Sequence, residues 1–189
     1  MSTTPETGVE IIDCQYMAPE HAAAYLIVEG DRAAFVDNNT VHAVPLLMKA
    51  LSERGLGADA VEFIIITHLH LDHAGGTSML AEQCPNASVL AHPRAVRHLV
   101  NPARLVAAVK DVYGVEYYER MYAPINPIDA ARVRAVEDGE TISFGSRTLT
   151  FLHTRGPAKH HICIHDSGSN GVFTGDTFGV GFLPRRTGA

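Results

Sequence analysis

A near-continuous apolar segment, residues 61–66, leads directly into a polar segment that contains three histidines and one aspartate. The polar segment reads Thr67-His68-Leu69-His70-Leu71-Asp72-His73-Ala74-Gly75-Gly76. An apolar run of this length is typical of a strand that is buried on both faces. The pair of glycines allows the backbone to turn tightly without a Cβ clash. The order therefore predicts a buried strand, a loop rich in metal-binding side chains and then a helix.

The spacing within this loop predicts a metal site. Alternate side chains of an extended chain point the same way, so His68 and His70 can converge on one ion. Asp72 and His73 follow in the turn, where adjacent side chains diverge enough to address a second ion. Imidazole nitrogens with a carboxylate suit zinc, and also iron or manganese. Three histidines and an aspartate within six residues argue against an ordinary polar surface loop.

Hydrophobic patterning predicts one α+β domain over residues 9–179. The first strands form an antiparallel meander with a Gly30-Asp31 hairpin, and an apolar face with period 3.6 marks the first helix. Strands are predicted at 9–16, 22–29, 32–37, 61–66, 88–91, 133–136, 141–144, 147–152, 161–165 and 171–174. Helices are predicted at 41–54 and 75–83, with interrupted helices over 92–122. Turns at Asp138-Gly139 and Gly145-Ser146 are expected to join the three strands between 133 and 152.

Composition limits the kinds of partner and the cellular compartment that we expect for this chain. The chain has 189 residues and a net charge of −6, which argues against a nucleic-acid or anionic-membrane surface and leaves a small-molecule substrate as the expected partner. Cys14, Cys84 and Cys163 form no C-x-x-C pair, and their odd number favours a reducing compartment. The N-terminal residues lack the pattern of an export signal, and no apolar run has transmembrane length. We therefore expect a cytoplasmic protein.

The segment His68-x-His70-x-Asp72-His73 with Gly75-Gly76 resembles the motif of the metallo-β-lactamase superfamily. The resemblance extends to segments 24–28 and 34–37 and to Gly175-Asp176-Thr177, so it covers most of the chain. It implies a four-layer αββα sandwich with the metal site at one edge, between two similar halves.

The resemblance also implies the ligands of one or two zinc ions. His68 and His70 would bind the first ion, Asp72 and His73 the second, and Asp176 would bridge them. The local sequence agrees for Asp176, because residues 172–174 predict an apolar strand that ends at this carboxylate.

Two features depart from the family pattern. Family members usually carry a further metal-binding histidine after a Thr-x-Gly sequence, but here Thr154-Arg155-Gly156 is followed by Pro157, which has no donor atom. His160 or His161 is a candidate substitute, although an orienting or packing role is the preferred interpretation for both.

The other feature is an atypical tail, residues 180–189, where the family continues to a last metal-binding histidine. We expect an apparently truncated second half with exposed apolar surface, an unpaired strand edge, and dimerisation through that edge or poor solubility.

The leading functional hypothesis is a metal-dependent hydrolase. A metal-activated water would attack an ester, thioester, lactone or phosphoester, with Asp72 as the catalytic residue that orients it. Two alternatives stay open: a catalytically impaired or inactive truncated homologue, and a mono-iron oxidoreductase similar to the sulfur dioxygenases. The remaining histidines have no spacing that requires a ligand role, and they are interpreted as ordinary surface or packing residues: His21, His42, His92, His98 and His165.

Overall fold

The computed structural model describes residues 7–154, 156 and 158–177. Two β-sheets face each other, and helices pack on the outer side of the first sheet. The first sheet has six strands in sequential spatial order: β1 (Val9–Asp13), β2 (Ala23–Glu29), β3 (Arg32–Val36), β4 (Val61–Ile65), β5 (Ser88–Ala91) and β6 (Val133–Ala135). The second sheet has four strands in the order β10-β9-β8-β7: β7 (Thr141–Phe144), β8 (Arg147–His153), β9 (Ile162–Asp166) and β10 (Gly171–Phe173). The helices are α1 (Val44–Glu53), α2 (Leu71–Ala74), α3 (Thr77–Gln83), α4 (Pro93–Val100), α5 (Ala103–Tyr113) and α6 (Val115–Met121).

Strand direction in the first sheet decides where the loops meet. The strands β1, β2 and β3 pair antiparallel, and Glu29 lies opposite Arg32, so Gly30-Asp31 is the predicted two-residue hairpin. Gly30 has a φ of +63°, a conformation that glycine adopts without a Cβ penalty. The strands β3 to β6 then pair parallel. Because the carboxyl ends of parallel strands share one edge, the loops that follow β3, β4 and β5 come together there.

Two apolar layers hold these elements together. One lies between the first sheet and helices α1, α3 and α4, and includes Phe35, Leu47 and Leu80. The other lies between the two sheets, where Ile27, Ile65 and Leu90 meet aromatic and aliphatic side chains of the second sheet. The second sheet contributes Phe144, Leu149, Phe151, Ile162, Ile164 and Phe173 to that layer. The alternation of buried residues along β8 is the pattern expected of a strand with one buried face.

This arrangement confirms the α+β sandwich, and the described residues supply three of its four expected layers. In the described part of the chain the layers run helix, sheet, sheet, and the helices α1, α3 and α4 pack on the first sheet. Leu152 and Val172 alternate with inward-facing neighbours and are 39% and 49% exposed on the outer side of the second sheet. Among the described strands, β10 forms an end of that sheet. Dimerisation through this edge stays a prediction, and the predicted tail over 180–189 lies outside the described residues.

Several predicted boundaries are wrong in detail. The strand β1 ends at Asp13, and α1 begins at Val44 with Pro45 in its first turn, where a missing N–H is tolerated. The helix predicted over 75–83 is α3 and begins two residues later, and a separate short helix, α2, precedes it and contains the metal-loop aspartate and third histidine. The strand β6 does not form a hairpin with β7. It pairs parallel with β5, and the following turn carries the chain across to the second sheet.

Two further observations concern the cysteines and the helices. The three cysteines are free and buried. Among the described residues, no helix combines the length and the apolarity that crossing a bilayer requires.

A buried arginine ties the second sheet to the first. The guanidinium of Arg147 donates to the Asp166 carboxylate over 2.7 Å and to the Glu29 carboxylate over 3.0 Å. Arg147 and Asp166 are both buried, whereas Glu29 lies at the end of β2 in the other sheet. The amide groups of Gly168 and Ser169 also donate to Asp166. The carboxylate therefore has a complete set of partners away from water.

Replacing Arg147 should destabilise the fold. The substitution Arg147→Met leaves the Asp166 carboxylate buried without its cation. We expect the free energy of unfolding to fall by about 3 kcal/mol. This is the lower end of the usual range, because Gly168 and Ser169 still donate to the carboxylate. Urea unfolding monitored by circular dichroism measures the loss. The matched control Arg134→Met breaks an exposed pair with Glu140 and should cost less than about 1 kcal/mol. Equal small losses in the two variants would contradict this account.

Candidate metal centre

Three chain segments converge at the shared edge of the parallel strands. The loop after β4 carries His68 and His70, and α2 begins at the next residue. The segment after β3 contributes Asp37. A short 3₁₀ turn, Gly175–Thr177, follows β10 in the second sheet and carries Asp176. The site thus lies where an edge of the first sheet meets an end of the second.

The Asp176 carboxylate lies at the centre of three imidazoles. Its Oδ2 is 3.3 Å from Nε2 of His68 and 3.8 Å from Nδ1 of His70, and its Oδ1 is 3.0 Å from Nε2 of His73. One donor atom each from His68, His70 and Asp176 lie within 4.8 Å of one another. Asp176 therefore contacts both histidine positions assigned to the first ion and the histidine assigned to the second. This is the arrangement that a bridging role requires.

The tautomer of His68 follows from its hydrogen bonds. The Thr67 hydroxyl lies 2.9 Å from Asp37 Oδ2 and 3.0 Å from His68 Nδ1. Because the carboxylate can only accept, the hydroxyl donates to Asp37 and accepts from the Nδ1–H of His68. The lone pair of His68 is therefore on Nε2, the atom that faces Asp176. Burial and the neighbouring His73 and His70 imidazoles lower the pKa of His68 to about 2, so this ring is neutral.

A cation fits between Nε2 of His68 and the carboxylate of Asp176. Nε2 of His68 is buried, and among the described residues it has no hydrogen-bond partner. An imidazole lone pair and a carboxylate oxygen that face each other across 3.3 Å repel unless a positive charge lies between them. Two imidazoles and one carboxylate are also the donor set that zinc accepts in catalytic sites, where three protein ligands leave one position open. The residues present therefore fit a zinc-class ion.

His73 is held by a second carboxylate behind the site. Its Nδ1 donates to Asp37 Oδ2 over 2.8 Å, while its Nε2 faces Asp176. Burial disfavours the charged ring, but the hydrogen bond and the negative charge of Asp37, with Asp72 and Asp176, raise the pKa of His73 to about 9. The ring is thus a cation between two carboxylates when no metal is bound, and a metal must displace its Nε2 proton.

Asp72 lies on the open side of the site. Its Oδ2 is 3.9 Å from His73 Nε2, and its side chain is 41% exposed. The backbone of this turn is fixed from behind, because the Asn39 side chain donates to the Asp72 carbonyl over 2.8 Å. The amides of Asn38 and Asn39 donate to the His73 carbonyl over 2.8 and 3.1 Å. The structure therefore places Asp72 next to His73 and outside the convergent group of His68, His70 and Asp176, and its role as a ligand of a second ion stays a prediction.

The two candidate substitute ligands have other partners. Nδ1 of His160 accepts from the Leu69 amide over 3.4 Å, which supports the metal-binding loop. His161 is buried, its Nδ1 is 2.7 Å from the Thr154 hydroxyl, and its ring centroid is 5.1 Å from that of His68. Among the described residues, neither joins the convergent group. These contacts favour the orienting interpretation, and Pro157 lies outside the described residues.

Gly175 is required by close packing beside Asp176. Its φ is +48°, and a Cβ at this position would lie 2.6 Å from Nε2 of His161 and 2.9 Å from the Thr67 hydroxyl. Any side chain would push the 3₁₀ turn away from the histidines. The glycine thus sets the depth at which Asp176 enters the site.

Sequence reasoning missed the supporting role of Asp37 and Thr67. The sequence pattern places Asp37 at the end of a strand, and in the structure it accepts hydrogen bonds from the Thr67 amide, the Thr67 hydroxyl and His73. The available signal was a carboxylate at the end of β3, next to the strand that delivers His68. Parallel neighbours end at the same edge, so the two segments had to meet.

Two of the histidines outside the motif have structural partners. Nε2 of His42 is 2.8 Å from the Arg120 carbonyl. Nδ1 of His92 accepts from the Arg94 amide over 3.0 Å and so caps α4. Their interpretation as packing residues agrees with these contacts.

Comparison with known proteins gives the family. The model of the metallo-β-lactamase superfamily matches residues 18–188. The chain therefore belongs to the metallo-β-lactamase superfamily. A probable hydroxyacylglutathione hydrolase of Schizosaccharomyces pombe is 28% identical over 159 residues, covering 82% of this chain and 48% of that protein. The acyl-coenzyme A thioesterase MBLAC2 of Homo sapiens is 30% identical over 128 residues, covering 63% of this chain and 42% of that protein.

Solved structures agree on the fold. A metallo-β-lactamase of Cronobacter sakazakii with a HARLDQ motif superposes with a TM-score of 0.66 at 19% identity, covering 93% of this chain and 62% of that one. The chain spans about half the length of the curated relatives it matches. The activity and substrates of a whole relative therefore enter only as proposals.

Replacing the buried carboxylate of Asp37 should weaken metal binding, although no proposed ligand is changed. In Asp37→Asn, His73 and Thr67 lose their anionic partner, so the imidazoles are held less firmly. We expect the zinc affinity of the metal-stripped protein to fall about 10- to 100-fold, measured by competition with a chromophoric chelator.

The matched control for this measurement is Asp111→Asn, on the exposed side of α5. It removes the same charge from the chain and should leave the zinc affinity unchanged. Unchanged zinc affinity in folded Asp37→Asn protein would refute the supporting role of Asp37.

Proposed function

We propose that this chain is a metal-dependent hydrolase that cleaves esters or thioesters with a metal-activated water. The observation that carries the proposal is the convergence of donor atoms from His68, His70 and Asp176, where the buried Nε2 of His68 has no hydrogen-bond partner among the described residues. Two relatives support it through their names, a hydroxyacylglutathione hydrolase and an acyl-coenzyme A thioesterase. Lactones and phosphoesters belong to the same reaction class and are included in the test.

Each side chain of the site has a proposed role. His68, His70 and Asp176 would hold the first ion, and Asp72 and His73, with Asp176 shared between both sites, would hold the second. A zinc ion held there supplies a Lewis acid that activates water and stabilises negative charge on the carbonyl oxygen. Iron or manganese would suit the same donors.

The protein residues around the ions orient and accept protons. Asp37 and Thr67 keep the His68 ring in the tautomer whose Nε2 faces the site. Asp72, half-exposed at the mouth of the site, orients the attacking water and accepts its proton. The rigid support behind the imidazoles matters because catalytic geometry is lost with displacements of about 1 Å.

Removing two ligands should abolish turnover. We expect zinc-loaded protein to hydrolyse members of a panel of small esters, thioesters, lactones and phosphoesters. The double variant His68→Ala/His70→Ala should lose at least about 100-fold in kcat/KM, since both proposed imidazoles of the first ion are gone. The control His21→Ala/His165→Ala removes two histidines remote from the motif and should retain full activity.

Metal analysis separates the alternatives. Zinc near one or two equivalents per chain, with turnover above the double variant, is the expected result. Metal well below one equivalent after reconstitution would identify an inactive homologue. Bound iron with oxygen uptake on a persulfide would identify an oxidoreductase. Either of these two results would overturn the hydrolase proposal.

A further inference from the structure

A cleft of about 330 Å³ opens beside the metal centre. It lies between the metal-binding loop and helix α5, and His70 and Asp72 belong to its lining. The other lining residues are aliphatic or aromatic: Leu69, Leu71, Leu105, Val109, Tyr113 and Tyr122. An occupant of this cleft therefore contacts two residues of the proposed active site and an otherwise apolar wall. We call this space the α5 cleft.

Helix α5 is packed in an unusual way for an apolar helix. None of its residues is fully buried. Leu105, Val106 and Val109 are partly buried and pack against a small cluster that includes Leu71, Tyr118 and Tyr122. Val112, on the same helix but outside the cleft lining, is 74% exposed. The aliphatic side of α5 is thus left partly in contact with water at the entrance to the metal centre, and an apolar ligand would remove this surface from water.

Tyr122 presents its ring to the cleft rather than a free hydroxyl. Tyr122 is buried, and its hydroxyl lies 2.9 Å from the hydroxyl of Tyr16. This pairing satisfies the phenol, so no polar group of Tyr122 has to be met by the ligand. Besides the paired phenol of Tyr122, the ionisable side chains of the described lining are those of His70 and Asp72 and the exposed phenol of Tyr113. The aliphatic part of the lining can cover an alkyl chain, while the polar groups of His70 and Asp72 at one side can orient it.

We infer that the α5 cleft binds the unbranched alkyl chain of an acyl substrate, with the carbonyl group beside His70 and Asp72. The chemistry rests on the proposed function, whereas alkyl binding in the cleft does not. The substrate class is then an ester or thioester of an aliphatic carboxylic acid. The water oxygen bonds to the acyl carbon, the carbon–sulfur or carbon–oxygen bond breaks, and the thiol or alcohol leaves with a proton. The products are the carboxylate, the free thiol or alcohol and one proton that is released to solvent, and no other reactant is consumed.

A chain-length series tests the inference through activity. With zinc-loaded protein and thioesters from acetyl to octanoyl, kcat/KM should rise about twofold to fourfold for each added methylene until the cleft is full. In Val109→Phe a ring occupies part of the cleft, and the ratio of octanoyl to acetyl kcat/KM should fall at least about 10-fold. The matched control Val112→Phe adds the same ring on the exposed side of α5 and should keep the wild-type ratio. Equal ratios in all three proteins would overturn the inference.

Direct binding tests the cleft without turnover. The chain has no tryptophan and six tyrosines, so its intrinsic fluorescence comes from tyrosine. Two of these tyrosines, Tyr113 and Tyr122, line the cleft. Octanamide should change this fluorescence saturably in wild-type and Val112→Phe protein, bind at least about 10-fold more weakly to Val109→Phe, and bind more tightly than acetamide.

The two measurements distinguish the inference from the function on which it rests. If octanamide binds as expected and no substrate of the panel is hydrolysed, the proposed function fails and the alkyl site stands. If thioesters are hydrolysed with no dependence on chain length and octanamide does not bind, the inference fails and the function stands.

Discussion

The carboxylate of Asp37 is the point on which the geometry of the metal centre depends. It is buried, and a buried carboxylate without hydrogen bonds is strongly unfavourable. Here it accepts from the Thr67 amide, from the Thr67 hydroxyl and from Nδ1 of His73. The same interactions that make its burial tolerable therefore fix the start of the metal-binding loop and the ring of His73. Through the Thr67 hydroxyl they also set which nitrogen of His68 faces the site.

Strand direction brings the partners of this carboxylate together. The strands β3 and β4 are parallel neighbours, so the residues that follow them emerge at one edge. The second sheet completes the site from the opposite side, because β10 ends in the turn that carries Asp176. The position of that sheet relative to the first depends on the shared apolar layer and on the Arg147 pairs with Asp166 and Glu29. A metal site at the junction of two sheets is therefore sensitive to packing far from the ligands.

Much of this was predictable from the sequence because the signals were local. The apolar run of β4, the alternation of His68 and His70, and the Gly30 hairpin each depend on a few adjacent residues. Local patterning did not indicate α2, whose Asp72 and His73 carbonyls accept hydrogen bonds from Asn38 and Asn39, more than 30 residues away along the chain. The role of Asp37 and the crossing of the chain after β6 were missed for the same reason: both depend on which strands are neighbours. The α5 cleft depends on how a lightly packed helix lies over the metal loop, and residue patterning alone does not determine that.

The central claim is that His68, His70 and Asp176 together hold a metal ion, and X-ray absorption at the zinc edge of the reconstituted protein tests it most directly. The account predicts a first shell of nitrogen and oxygen at about 2.0 to 2.2 Å with the outer-shell scattering of at least two imidazoles. In the same spectrum from His68→Ala/His70→Ala protein the outer-shell scattering should fall by the contribution of two imidazoles, since only His73 of the proposed histidine ligands is left. A zinc shell without imidazole, or one with sulfur at about 2.3 Å from the cysteines, would contradict the account.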